Sequence, residues 1–436
     1  MERLYHYLWK HKIIGTNLHL VDGEKLNILF PGTYNEDAGP DFYNARIIIG
    51  ETEWIGNVEI HVKASDWYRH KHDEDPVYDS VLLHVVGIND TKIERKNGEI
   101  IPQFLMTYPQ PFYSLYESLS CGVGEVRCAP WIKLVPRLVN EDWLESLALE
   151  RLQQKAQRIL DCAENCRYDW EQTTFIALAR ALGFGLNSEP FERLARSLPL
   201  NFIRRHSNNL MQLEALLFGQ AGMLDTSIHI FDQYYQTLCQ EYFFLARKYG
   251  LRPLDVHIWK YARTRPQNFP HRRIALLARA LYNGFNLNSS LRECSGDLNK
   301  IKCLFNWELS GYWLNHLDFD QENPLCGKIL GKGSIELVCI NFVVPLLYAM
   351  AKFFGDPDLG ENAIRIWEKL DAERNRYIDQ WKRFGFECKC AMRSQALIQL
   401  RKEYCDCSRC MECRIGHWLL RDRVKHPSTP ISLNQL

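Results

Sequence analysis

The chain has no excess of either charge: its 436 residues carry 53 lysines and arginines against 53 aspartates and glutamates. That balance excludes a protein coated in basic charge for non-specific grip on nucleic acid, although a local basic groove stays compatible with it. A long apolar run is also missing. The longest, Leu337–Met350, is too short to span a bilayer and contains Asn341 and Pro345, so a buried helix kinked at the proline is expected. The opening MERLYHYLWKHKII breaks every apolar stretch with charges or histidines, unlike a secretory signal. There is no low-complexity segment and no repeat of fixed period. Cysteine, by contrast, is plentiful at fifteen residues. Without a signal these are expected to be reduced thiols, some of them on a metal, rather than disulfides. The expectation is a soluble cytoplasmic protein without a membrane partner, and at this length one of two or three domains.

Two kinds of pattern divide the chain. In the first 110 or so residues, Leu18–Val21 and Lys25–Phe30 flank Asp22-Gly23, a two-residue hairpin signal. Pro31–Pro40 is rich in turn formers. Phe42–Ile49 and Trp54–Lys63 read as strands joined near Gly50, and Val81–Val86 as a buried strand. Asn97-Gly98 marks a second hairpin between Lys92–Arg95 and Glu99–Leu105. After Cys128 the period becomes helical. Asn140 is expected to cap a helix opening on Glu141-Asp142, with Leu144, Leu147, Ala148, Leu152, Ala156 and Ile159 on its apolar face. Thr173–Leu182, Glu192–Leu198, Leu210–Phe218, Phe231–Tyr249 and Arg273–Tyr282 continue the helical pattern. The predicted class is α+β: a small strand-rich domain over residues 1–115, a helical domain over 116–300, and a helical C-terminal region over 301–436.

Chemistry-bearing residues gather in three places. Side chains alternate along a strand, so in Trp54–Lys63 the residues Trp54, Gly56, Val58, Ile60 and Val62 share an apolar face. Asn57, Glu59, His61 and Lys63 share the polar one. Asp41 enters the preceding strand and can stand beside Glu59; His70, His72 and His84 follow closely. Carboxylates and imidazoles converging at a sheet edge can hold a divalent cation, magnesium or manganese on oxygen alone, with histidines shifting the choice towards manganese, zinc or iron. Asp41, Glu59, His70 and His72 are the candidate ligands. The plainer reading is a half-exposed strand with a solvated outer face, and His84 as a satisfied core histidine.

The second place is basic. Lys260, Arg263, Arg265, Arg272 and Arg273 lie among Trp259, Tyr261 and Phe269, a mixture able to grip a phosphate backbone and stack on bases of DNA or RNA, or equally to form a solvated helix end. The third is Cys388, Cys390, Cys405, Cys407, Cys410 and Cys413. Its Cys405-x-Cys-x2-Cys-x2-Cys run is similar to a metal knuckle for structural zinc, and an iron–sulfur cluster would also take four of these thiolates. The alternative is packed or surface thiols without metal.

The stretch GPDFYNARIII…WIGNVEIHVKASDWYRHKHDEDPVYDSVLLHVV, with EALLFGQAGML, RTRPQNFPHRRIALLA and SQALIQLRKEYCDCSRCMECRIG, resembles an uncharacterised bacterial family, domain of unknown function 2851. That resemblance covers nearly the whole chain and implies no activity. Pro40-Asp41 followed by Glu59-Ile60-His61 also resembles the restriction-endonuclease-like phosphodiesterases. There an aspartate on one strand and a Glu-x-Lys on the next hold magnesium and activate water. This second resemblance implies that Asp41 and Glu59 bind the cation. His61 stands where the lysine would, with Lys63 on the same face as a substitute, and Ala64–Ser80 must supply a crossover helix despite Pro76. The function expected is a metal-dependent phosphodiesterase acting on nucleic acid, with Asp41, Glu59, His61 and Lys63 catalytic. The rival is a non-catalytic nucleic-acid-binding or protein-interaction scaffold.

Overall fold

The computed structural model describes residues 1–15, 17–108, 110–225, 232–262, 264–282, 284–309, 311–323 and 330–425. The chain folds into two compact units: Met1–Trp143 together with the C-terminal segment from Arg401, and Leu144–Leu400. The return of the C-terminal segment to the first unit has no counterpart in the sequence-based division, because nothing local encodes a contact between chain ends.

The first unit opens with α1 (Glu2–Lys10), which buries Leu4, Tyr5, Leu8 and Trp9; the Trp9 indole N–H donates to Pro31 O at 2.8 Å. Next come β1 (Leu18–His19), β2 (Lys25–Phe30), β3 (Thr33–Tyr34), β4 (Phe42–Ile49) and β5 (Thr52–Lys63). The Asp22-Gly23 and Gly50 turns form as read, with both glycines at positive φ, 95° and 63°. A short helix, α2 (Asp66–Arg69), and a single 3-10 turn, Pro76–Ser80, then cross to β6 (Val81–Ile88); Pro76 begins that turn instead of breaking a longer crossover helix. The chain then reaches β7 (Gln103–Leu105). The sheet order is β1-β2-β4-β5-β6-β7, with β3 paired to β4. Strands β2, β4 and β5 are antiparallel, whereas β6 runs parallel to β5 and β7 parallel to β6. The Asn97-Gly98 hairpin is reduced to one bridge, Glu94 to Ile100.

Ile47, Val58, Ile60, Leu83 and Val85 are fully buried where these strands meet. The exposed tip of the β4–β5 hairpin carries Trp54 and Ile55, and Val58, Glu59, Ile60 and His61 in the inner half are all buried, so the one-face alternation read along β5 holds in neither half. In the inner half both faces are covered, as a central strand requires.

Among the described residues the second unit is helical apart from one small two-stranded ribbon. Asp169 caps Trp170–Leu182, and Gly250 at φ 66° closes Gln233–Tyr249. One helix, Arg137–Asn165, starts a turn earlier than Asn140 suggested, because Pro136 provides the break; Asn140 lies inside it. The apolar run lies within Lys332–Phe354, long and apolar enough by composition to cross a membrane, with 67% of its apolar window buried. A π-turn over Cys339–Val343 precedes Pro345 and accommodates the missing N–H.

Candidate metal centre

Strand order brings the first candidate set together. Asp41 stands at the head of β4 and Glu59 in the middle of β5. The Asp41 N–H donates to Glu59 Oε2 at 3.1 Å, and the Ile60 N–H donates to Asp41 Oδ2 at 2.9 Å. The two acids are thus adjacent and held by backbone, not by each other's side chains. In the parallel register Glu59 faces His84 on β6, and His61 Nδ1 lies 2.8 Å from His84 Nε2.

The crossover supplies the other imidazoles. After α2 the chain turns at Lys71, whose φ of 61° is left-handed. The His72 N–H reaches back to Trp67 O at 3.1 Å, the closure of a helix C-terminus. That kink returns His70 and His72 to the sheet together. A nitrogen of each of His61, His70 and His72 lies within 4.8 Å of the other two. Glu59 Oε1 is 3.5 Å from His61 Nε2 and 3.4 Å from His72 Nε2, and His61 Nε2 is 3.1 Å from His70 Nδ1. Those separations match the edge of a tetrahedron built on bonds of about 2.0–2.1 Å, roughly 3.3 Å. Tyr78 stacks on His72 with ring centres 3.7 Å apart, and Trp67 meets His72 and His84 edge-on.

Glu59 is 4% and His61 2% exposed, so they are not the solvated outer face of the plainer reading. Burial raises Glu59 to about 7, with the hydrogen bond from His72 opposing the rise and the Asp41 charge adding to it. Burial lowers His61 to about 2, helped by its histidine neighbours, and His84 to about 3. The inner imidazoles are therefore neutral and offer lone pairs. His84 is buried, as read, but not inert. When His61 ligates through Nε2, its Nδ1–H must donate to His84 Nε2, which puts the remaining His84 proton on Nδ1, an atom without a partner. A metal would thus select one tautomer of the pair.

Two residues differ from their assigned roles. Lys63 is exposed at the outer end of β5, where its charge acts on Asp90, and so cannot substitute for a water-activating lysine. His61 cannot position a solvent-side water freely, being enclosed by three other imidazoles. The sequence reading also missed His6. Carried by α1, its Nε2 lies 3.1 Å from Asp41 Oδ2, off the hydrogen-bonding axis, and its Nδ1 lies 3.4 Å from Tyr34 Oη. Only the packing of α1 on the sheet reveals it.

The basic stretch does not form one surface. Arg272 and Arg273 are 2% and 3% exposed. Arg272 donates to Trp313 O at 2.8 Å and His316 O at 2.7 Å, while Arg273 stacks on Phe184 and bonds Asn268. Both guanidiniums are spent on structure. Lys260 and Arg265 are exposed, and Arg263 lies outside the described residues. Among the cysteines, Cys388 and Cys390 belong to the second unit, and Cys405, Cys407, Cys410 and Cys413 to the first. Cys407 is exposed, its thiol donating to Lys402 O.

The fold and this centre together define a two-unit α+β protein with a buried histidine–carboxylate cluster at the switch from antiparallel to parallel pairing. The chain belongs to the family described as Protein of unknown function (DUF2851), which matches residues 2–376. No curated protein matches it significantly, and no solved structure does.

Proposed function

We propose that this protein is a metal-dependent phosphodiesterase with nucleic acid as its substrate class. One observation carries the reading: Asp41 from the head of β4 and Glu59 and His61 from β5 meet His6, His70 and His72 on one patch of the sheet. Asp41 on β4 and Glu59 on β5, joined by a hairpin, stand in the order that the restriction-endonuclease-like resemblance implies, which supports phosphodiester chemistry at this patch, although the crossover holds only the four-residue α2 and a 3-10 turn where that resemblance requires a helix. Imidazole-rich ligation by His61, His70, His72 and Glu59 favours manganese or zinc over magnesium. Such an ion would polarise a phosphoryl oxygen and make bound water acidic.

The chain's own residues divide the remaining work. Asp41, anchored by the Ile60 N–H, faces His6 Nε2 across 3.1 Å and would stabilise the imidazolium when His6 gains a proton. His6, only partly buried, takes or returns the proton of the attacking water, the role vacated by Lys63. The Tyr78 hydroxyl, held protonated by burial and by the charges of Glu59 and Asp41, is available as a donor to a phosphoryl oxygen.

The test is hydrolysis of a simple phosphodiester ester and of single- and double-stranded DNA and RNA by purified protein loaded with manganese, zinc or magnesium. Asp41→Asn and His6→Ala are expected to lower the rate at least a hundredfold with metal content retained, and Glu59→Gln to lower both. Cleavage unchanged in the Asp41 and Glu59 variants would refute the site. Absence of cleavage by the wild type with every metal would favour the non-catalytic scaffold.

A further inference from the structure

The cysteines of the first unit form a second centre, with a membership that spacing along the chain does not disclose. Cys405 ends the π-helical turn Leu400–Cys405. The chain then folds tightly: the Arg409 N–H bonds Tyr404 O at 2.8 Å, Ser408 adopts φ 59°, and Cys410 O receives the Cys413 N–H at 3.4 Å. Gly416 completes this knuckle, since a Cβ there would sit 2.1 Å from Cys410 O. The helix that follows, Arg414–Lys425, packs on α3 (Gln110–Cys121) and on the 3-10 turn Ala129–Leu134. That turn is preceded by Cys128, and Cys413, Cys405 and Cys410 each act electrostatically on its thiol. Four sulfurs from two distant segments therefore face one another, none in a disulfide, with Cys128 and Cys413 buried and Cys405 and Cys410 half-buried.

Hydrogen-bond donors and cations surround these sulfurs, although burial pushes each of the four thiols up. The Ile415 and Gly416 N–H groups point at the Cys413 sulfur. The buried Trp143 indole N–H is aimed at the same atom and has no acceptor elsewhere. The Arg127 guanidinium, fixed by Leu119 O and Ser120 O at 3.1 and 2.6 Å, stands by Cys410, and that of Arg401 by Cys405. Neutral thiols would leave the buried Trp143 N–H with only a weak acceptor, at a cost, whereas Arg401 also pairs with Glu125 and Asp406. The spread of the sulfurs bears on the occupant. Among the described residues the trio of ligand atoms within 4.8 Å of one another is His61, His70 and His72, and no three cysteines meet that limit. A single tetrahedral zinc would draw four sulfurs to about 3.8 Å of each other. A polynuclear iron–sulfur cluster holds its four cysteines further apart.

We infer that Cys128, Cys405, Cys410 and Cys413 ligate an iron–sulfur cluster that fastens the C-terminal helix to the N-terminal unit. Cys407, Cys388 and Cys390 are not ligands. The cluster closes a loop that contains the whole second unit, so its loss frees the C-terminal segment. This centre is independent of the histidine–carboxylate patch and stands whether or not that patch is catalytic.

The full-length protein, purified without oxygen, would be assayed for iron, acid-labile sulfide and zinc, and by electron paramagnetic resonance after reduction. Visible absorption with iron and sulfide in comparable amounts supports the inference. Absence of iron and labile sulfide, or zinc that is lost in Cys128→Ser, overturns it. Cys128→Ser and Cys410→Ser are expected to reduce iron to background, whereas Cys407→Ser and Cys388→Ser retain the wild-type content. Iron retained in Cys128→Ser, or lost in Cys407→Ser, overturns the ligand set. Should a ligand variant fail to fold, Gly416→Ala tests the same knuckle without removing a sulfur, and full iron content in it would also count against the site.

Discussion

Glu59→Gln is expected to make the metal-free protein more stable while destroying its capacity to hold a metal. The carboxyl is raised from an ordinary 4.5 to about 7, chiefly by burial. A raised folded-state value means that the folded protein binds this proton more tightly than the unfolded chain does. Its stabilising effect is complete below about pH 4.5 and is lost as the pH climbs through about 7. At about 1.4 kcal/mol per unit, the burial of a charged Glu59 at pH 8 costs about 3 kcal/mol. Glutamine removes that cost without removing the contacts. Its carbonyl oxygen accepts from the Asp41 N–H, and its amide can donate to His61 Nε2 and His72 Nε2, the neighbours of Oε1, in the tautomers that leave those nitrogens without a proton.

For a unit of this size, about 3 kcal/mol corresponds to a rise in melting temperature of about 6–12 °C at pH 8. The rise should fade to near zero at pH 4. Thermal melts of wild type and variant in the presence of a chelator, at pH 4, 6 and 8, measure it directly. Adding manganese or zinc at a hundred times its dissociation constant should then stabilise the wild type by about 2.7 kcal/mol and the variant far less. A gain in stability bought at the expense of ligand affinity marks a functional site; a structural ion pair would lose stability on the same substitution. The reasoning fails if the variant is no more stable than wild type at pH 8, or if its gain is the same at pH 4.

His84→Leu, which removes no ligand but deprives His61 Nδ1 of its partner, is expected to weaken metal binding about 10–100-fold by calorimetric titration; unchanged affinity would show that His84 is core alone. Lys71→Val should disturb the same centre by opposing the left-handed turn between His70 and His72, whereas Lys71→Gly should preserve metal affinity and thermal stability. In the second unit, burial raises Glu214 to about 7, with the Tyr234 hydroxyl donating to it at 2.8 Å. By the same sign argument, Glu214→Gln should raise stability above pH 7 by up to about 3 kcal/mol and leave it unchanged near pH 4, which denaturant titrations at both pH values would measure. Gly219→Ala would place a Cβ 2.1 Å from the Tyr242 ring and should cost about 1–3 kcal/mol in the same titrations.

The α+β class and most element positions are legible because they are local. Period-two and period-3.6 patterns and the Asp22-Gly23 and Gly50 turns need only neighbouring residues. What spacing cannot carry is a partner supplied from far along the chain. Asp41, Glu59 and His61 were readable together because a hairpin brings adjacent strands into register. His70 and His72 were readable as candidate ligands because they follow that strand closely, although the Lys71 kink that brings both to His61 leaves no mark in the sequence. His6 reaches the same patch from a helix before the sheet, and its spacing to Asp41 has no physical meaning until α1 docks. The same reasoning separates the cysteines. Cys407 and Cys410 look alike in the sequence, but the turn after Cys405 presents one outward to Lys402 O and the other inward. Cys128, a single thiol after the strand-rich region, gains its companions only when the last helix returns to the first unit. Burial misleads in both directions as well. Arg272 and Arg273 have the composition of a phosphate grip and the environment of a core, while Glu59 and His61 have the alternation of a wet strand and are almost wholly enclosed. A charged side chain thus becomes informative about function only when its partners are known: Arg272 donates to carbonyls and Arg273 rests on an aromatic ring and a neutral side chain, whereas Glu59 is buried among imidazoles whose set an added cation would complete.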